Sequence, residues 1–295
     1  MEKEFKSGYV GIVGRPNVGK STLLNKLVGQ KIAIISPKPQ TTRNKILGIM
    51  HEKGYQAVFI DTPGFHAPKN KLGENMVRAV NETISDVDMI MMVVEPEEEI
   101  LPSEEKILEK IGNIPSVLVI NKTDTVPKEK LLSVIGAYCN RHNFSDIIPV
   151  SARTGENLEE LKKVVKDKLP EGPMYYPEDM VTDQQEKQIV AEIIREKMLL
   201  ILRQEIPHGT AVEIVKMKYE ENGKYSISAN IYCEKDSHKG IIIGKGGKVL
   251  KEIGTKARLD SEKMLDAPVF LELWVKVKED WRNSENFIKE FGDFK

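Results

Sequence analysis

Residues 14–21 read Gly14-Arg15-Pro16-Asn17-Val18-Gly19-Lys20-Ser21, which matches the pattern G-x-x-x-x-G-K-[ST]. The apolar run Tyr9–Val13 comes before this stretch, and Ser21–Val28 has the apolar spacing of a helix. A strand, a glycine-rich turn and a helix in this order are typical of a phosphate-binding loop. Its backbone N–H groups face phosphate oxygens, Lys20 supplies a charge for the β- and γ-phosphates, and Ser21 offers a hydroxyl to Mg²⁺. We therefore predict a nucleotide site at residues 14–22, with Thr22 included.

The surrounding pattern extends this motif to a whole domain. We expect further strands at 45–51, 55–61, 87–94, 116–120 and 147–150, with helices near 70–84, 103–111, 128–140 and 156–168. Alternation of strands and helices predicts a mostly parallel sheet with helices on both faces. Only Glu52-Lys53-Gly54 separates the first two of these strands, so they form an antiparallel hairpin at one edge. The predicted fold of residues 1–170 is a P-loop α/β domain.

The stretch Asn121-Lys122-Thr123-Asp124 indicates which base is bound. It follows the buried run 116–120 at the carboxyl end of a strand, where ligands bind in open α/β sheets. The Asp124 carboxylate can accept hydrogen bonds from guanine N1–H and the 2-amino group, whereas adenine offers neither donor. Asn121 can reach guanine N7 and brace the phosphate loop, and the Lys122 stem can cover the base. The backbone of Ser151-Ala152-Arg153 can meet guanine O6, so we predict GTP and GDP as ligands.

Two further segments suit the γ-phosphate and its metal. Asp61-Thr62-Pro63-Gly64 ends the strand 55–61, so Asp61 can hold Mg²⁺ and the Gly64 N–H can meet the γ-phosphate. Thr41 and Thr42 lie in a loop rich in Pro, Gln and Thr, and one of them can complete the Mg²⁺ shell. Such a loop is a switch that GTP orders and hydrolysis releases.

The pattern changes after a proline-rich segment. Residues 169–178 read Leu-Pro-Glu-Gly-Pro-Met-Tyr-Tyr-Pro-Glu, which ends a helix and extends the chain, and we expect the tyrosines to pack against a domain surface. We assign 171–181 as a linker and 182–295 as a second domain. A helix at 184–204, strands at 211–219 and 224–233, two short helices around 244–247, a strand at 269–278 and a helix at 281–291 are expected there. This is an α+β order, α-β-β-α-α-β-α.

The two short helices flank Gly244-Lys245-Gly246-Gly247, a G-x-x-G loop. Such a loop between helices lets the backbone approach a phosphate, and KH modules use it to clamp four nucleotides of single-stranded RNA. Residues 235–258 carry seven basic and two acidic side chains, although 181–295 carries 20 of each. We predict an RNA-binding surface formed by Lys239, Ile241, Ile242, Gly244, Lys245, Gly246, Gly247, Lys248 and Lys251. Trp274 and Trp281 are expected to pack beneath the domain.

Composition excludes several classes of protein. The 295 residues are 40% hydrophobic and 30% charged, which suits about two globular domains. The net charge of −1 means that nucleic acid must bind to a local patch. The two cysteines, Cys139 and Cys233, exclude a disulfide framework and a Cys-rich zinc site. Because no apolar run approaches the ~18 residues of a spanning helix, we expect a soluble, cytosolic protein, with peripheral membrane contact left open.

The motifs at 14–21, 41–43, 61–64, 121–124 and 151–153 resemble, in order and spacing, those of the translation-factor-related small GTPases. Together with the second domain, the chain is similar over nearly its whole length to the Era family, in which a type II KH domain follows the GTPase domain. The resemblance implies that Thr42 is the Mg²⁺ ligand and that Asn17 helps hold a monovalent cation such as K⁺. It also implies binding to the 3′ end of small-subunit ribosomal RNA and a role in 30S subunit assembly. The resemblance further implies a cytoplasmic protein that is partly associated with the inner face of the membrane. We expect a monomer by default.

One position departs from Ras-type GTPases. Phe65 follows Gly64 where those enzymes carry a glutamine that positions the attacking water, and an apolar ring cannot do this. We therefore expect slow intrinsic hydrolysis, assisted by Asn17, Lys20, Thr42 and Gly64, with the water placed by backbone, a cation or a partner. Two alternatives stay open: a constitutive RNA-binding assembly factor with structural GTP, and a related GTPase that acts on tRNA or the large subunit.

Overall fold

A computed structural model describes residues 5–65, 67–203 and 206–291. The chain forms two compact units. The first contains the residues up to Ala33, Thr42–Lys69 and Gly73–Asp183, and the second contains Ile34–Thr41, Asn70–Leu72 and the residues from Gln184 onward. Two short segments from the first half of the sequence therefore fold with the second half.

The first unit is built on a six-stranded sheet of order β2-β3-β1-β4-β5-β6. Its strands are β1 Lys6–Val13, β2 Ile46–Glu52, β3 Tyr55–Asp61, β4 Met89–Val94, β5 Ser116–Ile120 and β6 Asp146–Pro149. The helices are α1 Lys20–Val28, α2 Lys71–Ser85, α3 Pro102–Ile111, α4 Lys128–Cys139 and α5 Leu158–Lys168. Only the β2–β3 pair is antiparallel, which confirms the predicted edge hairpin.

Apolar clusters lie on both faces of this sheet. Every residue of β4 is buried, and alternate residues join opposite clusters: Met91 and Val93 one of them, Ile90 and Met92 the other. A strand covered on both faces has no polar side, which explains why β4 reads as a continuous apolar run. The predicted doubly covered α/β fold is thereby confirmed.

The second unit is an α+β domain with a three-stranded sheet of order β7-β8-β9. Its elements are α6 Glu186–Ile201, β7 Thr210–Tyr219, β8 Tyr225–Cys233, α7 Asp236–Ile243, α8 Lys248–Leu265, β9 Val269–Val277 and α9 Glu285–Phe291. Strand β8 pairs antiparallel with β7 and parallel with β9, as a type II KH domain requires. No helix within the described residues is both long enough and apolar enough to cross a bilayer.

Some boundaries differ from the expected ones. The last helix does not begin at Trp281, because a 3₁₀ turn at Trp281–Asn283 ends in extended backbone at Ser284. The Trp281 indole donates a hydrogen bond to the Gly209 carbonyl (3.0 Å) and is buried, so it anchors this turn in the core. The predicted helix end at Gln204 lies outside the described residues.

The proline-rich linker is fastened to the first unit, as expected from its tyrosines. Tyr175 stacks on Tyr9 with ring centroids 5.3 Å apart. The buried Gln56 side chain accepts hydrogen bonds from the backbone N–H groups of Tyr175 (2.8 Å) and Tyr176 (3.1 Å). The segment is therefore held in place instead of spanning freely.

The loop Ile34–Thr41 is bound by α6 inside the second unit. The Ile35 N–H donates to Glu196 Oε1 (2.9 Å), and the Arg195 guanidinium donates to the Thr41 carbonyl. The Lys38 ammonium donates to the Leu202 carbonyl at the end of that helix. The sequence patterns alone gave no indication of these contacts.

Candidate functional site

The phosphate loop joins β1 to α1, as the motif predicts. Asn17 and Gly19 both have a positive φ, 67° and 100°, so the backbone curls through the left-handed region. A Cβ on Gly19 would lie 2.2 Å from Asn121 Nδ2, which only glycine avoids. A Cβ on Gly64 would likewise lie 2.7 Å from the Pro16 backbone. These approaches bring three nucleotide motifs to one place.

Lys20 is buried in the loop, where its hydrogen-bond acceptors among the described residues are backbone carbonyls. Its ammonium donates to the carbonyls of Gly14 and Arg15, both at 3.1 Å. Burial lowers the pKa of Lys20 to about 8, although the nearby Asp61 charge opposes this. The two carbonyl groups are neutral acceptors, and a phosphate oxygen would give this buried cation a negatively charged partner.

Three oxygen-bearing side chains converge beside Lys20. Ser21 Oγ donates to Asp61 Oδ2 (2.6 Å) and lies 2.8 Å from Thr42 Oγ1. Asp61 is fully buried, its Oδ1 has no hydrogen-bond partner in the described part of the chain, and burial raises its pKa to about 6. A buried carboxylate with an unused oxygen beside two hydroxyls fits Mg²⁺, which takes oxygen ligands.

Thr42 and not Thr41 belongs to this group. The Thr41 hydroxyl donates to the Lys38 carbonyl (2.6 Å) inside its own loop. Thr42 is buried, and its hydroxyl also lies 3.5 Å from Asp61 Oδ2. Of the two threonines that the sequence left open, Thr42 is the one whose hydroxyl lies beside Ser21 and Asp61, and the expected nucleotide contact of Thr41 stays a prediction.

The base-recognition loop is braced from two sides. Asn121 Nδ2 donates to the Val18 carbonyl (2.8 Å), and Asn121 Oδ1 accepts from the Ala152 N–H (2.9 Å). Asp124 Oδ1 accepts from Ser151 Oγ (2.6 Å), and Asp124 Oδ2 pairs with Arg153. The Ser151 hydrogen bond is the main cause that lowers the pKa of Asp124, so this side chain is an ionised acceptor.

An acidic cluster that the sequence analysis did not assign to the nucleotide site contacts both of its loops. The Arg15 guanidinium contacts Glu95, Glu97 (3.2 Å) and Glu104 (3.2 Å). Glu95 also pairs with the Lys122 ammonium. Glu95 therefore joins the phosphate loop to the base loop. The only sequence feature that could have indicated these contacts is the run of glutamates directly after β4.

Most of the remaining predicted nucleotide-site residues are buried or half-buried. Phe65 is buried in an apolar cluster, with the Lys110 ammonium 5.7 Å from its ring centroid, and its N–H donates to the Gly14 carbonyl (3.2 Å). The Thr62 hydroxyl donates to the Ile12 carbonyl (2.8 Å). Val18 and Pro63 are buried, while Thr22 and Thr123 are half-buried. Their predicted contacts with the nucleotide stay predictions.

The G-x-x-G loop lies between α7 and α8 in the second unit. Gly244 has a φ of 72°, and a Cβ there would lie 2.4 Å from Val249 Cγ2. Gly246 and Gly247 also have positive φ values, yet a Cβ on either would meet no atom within 4 Å. The backbone at these two positions is thus open to close approach by a phosphate.

A groove of about 460 Å³ begins at this loop. Apolar, small and basic side chains of α8 and β9 line it: Gly247, Leu250, Lys251, Gly254, Thr255, Arg258, Phe270, Leu271 and Leu273. Arg258 and Phe270 were missed by the sequence reasoning, although Arg258 lies seven residues after Lys251, on the same helical face.

Of the predicted RNA contacts, one side chain is misplaced. Ile242 is fully buried in the core, so its assignment to the RNA surface is wrong, whereas Ile241 is exposed. Consecutive residues of a helix point in different directions, so Ile241 and Ile242 cannot both face the RNA. Lys245, Lys248 and Lys251 are exposed, and Lys239 is half-buried. Trp274 is not packed beneath the domain: it is 61% exposed.

Comparisons with known proteins agree with both units. Residues 9–122 match the family model "50S ribosome-binding GTPase", and residues 205–282 match the "KH domain" model. GTPase Era of Clostridium novyi is 53% identical over 290 residues, which are 98% of this chain and 99% of that protein. GTPase Era of Ruminiclostridium cellulolyticum is 52% identical over 98% of this chain and 97% of its own length.

Two solved structures are similar over nearly the whole chain. A variant of Aquifex aeolicus Era bound to GDP and AlF₄⁻ has a TM-score of 0.94 and 42% identity, covering 97% of this chain and 99% of its own. An Era complex with MgGDPNP and nucleotides 1506–1542 of 16S ribosomal RNA has the same score and identity, with coverages of 97% and 98%.

Proposed function

Because the chain belongs to the Era family of GTPases, we propose that it is a GTP-hydrolysing switch whose KH domain binds the 3′ end of small-subunit ribosomal RNA during 30S subunit assembly. Family membership makes the chain a GTPase. The observation that most strongly supports RNA binding is the open, positive-φ backbone of Gly246 and Gly247 at the start of a basic helix. That geometry suits a phosphate contact, as in other KH modules.

In the nucleotide site, Lys20 and the first N–H groups of α1 hold the β- and γ-phosphates, and Asp124 accepts from guanine N1–H and the 2-amino group. Ser21, Thr42 and Asp61 hold Mg²⁺, which spreads the negative charge of the β- and γ-phosphates when bound. The Gly64 N–H meets the γ-phosphate. Since Phe65 is turned into the core, the attacking water is positioned by backbone, by a cation such as K⁺ beside Asn17, or by the RNA partner, and intrinsic turnover is slow.

The finer assignments of domain limits, location and partners are part of the same proposal. The domain limits are residues 1–170 for the GTPase, 171–181 for the linker and 182–295 for the KH domain. The protein acts as a cytoplasmic monomer on the 30S subunit, with peripheral contact at the inner membrane face. The alternatives are a constitutive RNA binder in which GTP is structural, and a GTPase of tRNA or the large subunit.

RNA affinity in three nucleotide states tests this function. The full chain is titrated with a single-stranded RNA of the small-subunit 3′ terminus, at fixed salt, with a GTP analogue, with GDP and without nucleotide. We expect the tightest binding with the GTP analogue. Equal affinity in all states would favour the constitutive binder, and no binding would overturn the assignment of this RNA.

A pair of matched variants tests the loop. Gly246→Asp adds a negative charge where a side chain meets no atom, and Asp tolerates positive φ. Gly54→Asp makes the same change at a φ of 85° in the β2–β3 hairpin, also without neighbours within 4 Å. RNA binding should be lost in the first variant and kept in the second, while GDP binding stays unchanged in both.

A further inference from the structure

One face of the KH sheet is covered by helices. The opposite face is contacted at one end by α9, where Phe287 packs against Tyr232, and is open toward Phe270 and Trp274. Along β9, Leu271, Leu273 and Val275 pack against the core, whereas the residues between them are exposed. Because side chains alternate along a strand, Phe270, Glu272 and Trp274 share the opposite side. We call this side the outer sheet face and define it by Glu213, Lys216, Lys218, Ser226, Ser228, Asn230, Phe270, Glu272 and Trp274.

Two large aromatic side chains of this face are turned to solvent. Trp274 is 61% exposed and Phe270 is 50% exposed. They lie four residues apart on one strand, which is about 13 Å. Most tryptophans lie largely buried, as Trp281 does here at 2% exposure. An exposed tryptophan in line with a second exposed aromatic side chain therefore indicates a binding surface.

The charges beside Phe270 favour an anionic partner, and the carboxylate in the row of Trp274 is engaged within the sheet. Glu213 is in line with Asn230 and Trp274, and it accepts hydrogen bonds from the Asn230 amide (2.9 Å) and the Tyr232 hydroxyl (2.8 Å). In the strand register, Lys218 is in line with Ser226 and Phe270, and Lys216 with Ser228 and Glu272. The Lys224 ammonium lies 5.9 Å from the Phe270 ring centroid. The Glu272 carboxylate already accepts a hydrogen bond from Ser228 (3.2 Å), so part of its charge is satisfied within the face.

The outer sheet face is continuous with the groove described above through a shared residue. Phe270 lines that groove together with Lys251 and Arg258, and it also belongs to the outer sheet face. A strand of RNA held at Gly246 and Gly247 thus has an aromatic side chain at the edge of the groove and a second one beyond it.

We propose that single-stranded RNA leaves the groove across β9 at Phe270 and stacks a further base on Trp274, with Lys216 and Lys218 facing its backbone. Aromatic rings and lysines are the combination that binds single strands without strict sequence preference, because every base has a π-face. This inference rests on the proposed function, since it assigns the path of the RNA beyond the groove.

A short RNA and a longer RNA that contains it distinguish binding in the groove from binding on the outer sheet face. The full chain with a GTP analogue is titrated with an RNA of about four nucleotides, which fills a KH groove, and with one of about twelve. Trp274→Ala should weaken binding of the longer RNA by about 5- to 150-fold, the range for loss of one stacked base, and leave the short RNA unaffected. Trp274→Phe should restore most of the loss.

Tyr219→Ala is the matched control. Tyr219 is 58% exposed on the same sheet, but its register and its contact with Tyr225 place it outside the row of Trp274. It should bind both RNAs as the unchanged protein does. Equal losses in Tyr219→Ala and Trp274→Ala would overturn the proposal.

Fluorescence gives an independent readout. The chain has two tryptophans, and Trp281 is buried, so the Trp281→Phe variant reports on Trp274 alone. The longer RNA should quench this emission and the short one should not. If both RNAs bind the unchanged protein with equal affinity and no quenching, the outer sheet face does not bind RNA and the groove assignment survives. If neither RNA binds, the proposed function fails as well.

Discussion

Replacing Glu95 with glutamine tests how the two nucleotide loops are held together. The Glu95 carboxylate contacts Arg15 of the phosphate loop and Lys122 of the base loop, and 18% of its side chain is exposed. Glutamine keeps the size of the side chain and removes its charge. Arg15 retains Glu97 and Glu104 after this change, so the main loss falls on Lys122, whose stem we expect to cover the base.

The burial of the pair sets the size of the effect. Exposed ion pairs contribute about 0.2–1 kcal/mol, and breaking a fully buried pair costs about 3–5 kcal/mol. Glu95 lies between these limits, so we expect a loss of about 1–2 kcal/mol in binding, or roughly 5- to 30-fold in Kd. GDP and GTP should lose affinity by the same factor, because both present the same base.

The assay is dissociation of a fluorescent GDP analogue by stopped flow, with competition by unlabelled GDP and GTP. Glu97→Gln serves as the matched control: it removes the same charge from a side chain that is 53% exposed and contacts Arg15 at 3.2 Å. It should change the Kd by less than about twofold. Equal effects of the two substitutions, or a loss for GTP alone, would refute the bridging role of Glu95.

Three further outcomes follow from the site. Because the pKa of Asp61 is raised to about 6, a proton occupies it below that pH, so Mg²⁺-dependent GDP binding should weaken as pH falls through about 6; a flat profile in calorimetry would contradict this. Phe65→Gln should lower the free energy of unfolding by about 2 kcal/mol or more without raising single-turnover hydrolysis, since the ring is buried; a large gain in rate would disprove the reasoning. Ser151→Ala removes a 2.6 Å hydrogen bond to Asp124 and should weaken GDP binding about tenfold, whereas Arg153→Ala, 76% exposed, should change it less than about twofold in the same titration.

The parts of the fold that the sequence predicts best are those whose signal is local. Strand β5 begins and ends as expected because five buried residues are bounded by Pro115 and Asn121. The phosphate loop is equally local, since its geometry depends on glycines within eight residues. Such signals do not depend on the rest of the chain.

Contacts between distant segments could not be predicted in this way. Arg15 and Glu95 are 80 positions apart, and nothing in either segment indicates the other. The alternation of buried and exposed positions along β9 shows that one side of the strand faces solvent. Alternation alone does not show which side the helices cover, so the exposure of Trp274 could not be predicted from it. The prediction that Ile242 faces RNA was wrong because successive residues of a helix point in different directions, and Ile242 points into the core.

The way α6 binds the loop Ile34–Thr41 limits how the protein can be divided. A fragment that ends at the linker would retain this loop but lose the Glu196 carboxylate that accepts from Ile35 and the Arg195 guanidinium that donates to Thr41. A chimera that joins this GTPase half to a foreign RNA-binding domain would lose the same contacts. The two halves are therefore not interchangeable modules. The residues that hold the loop before Thr42 lie more than 150 positions later in the sequence, so a chimera keeps this loop in place only if it contains both segments.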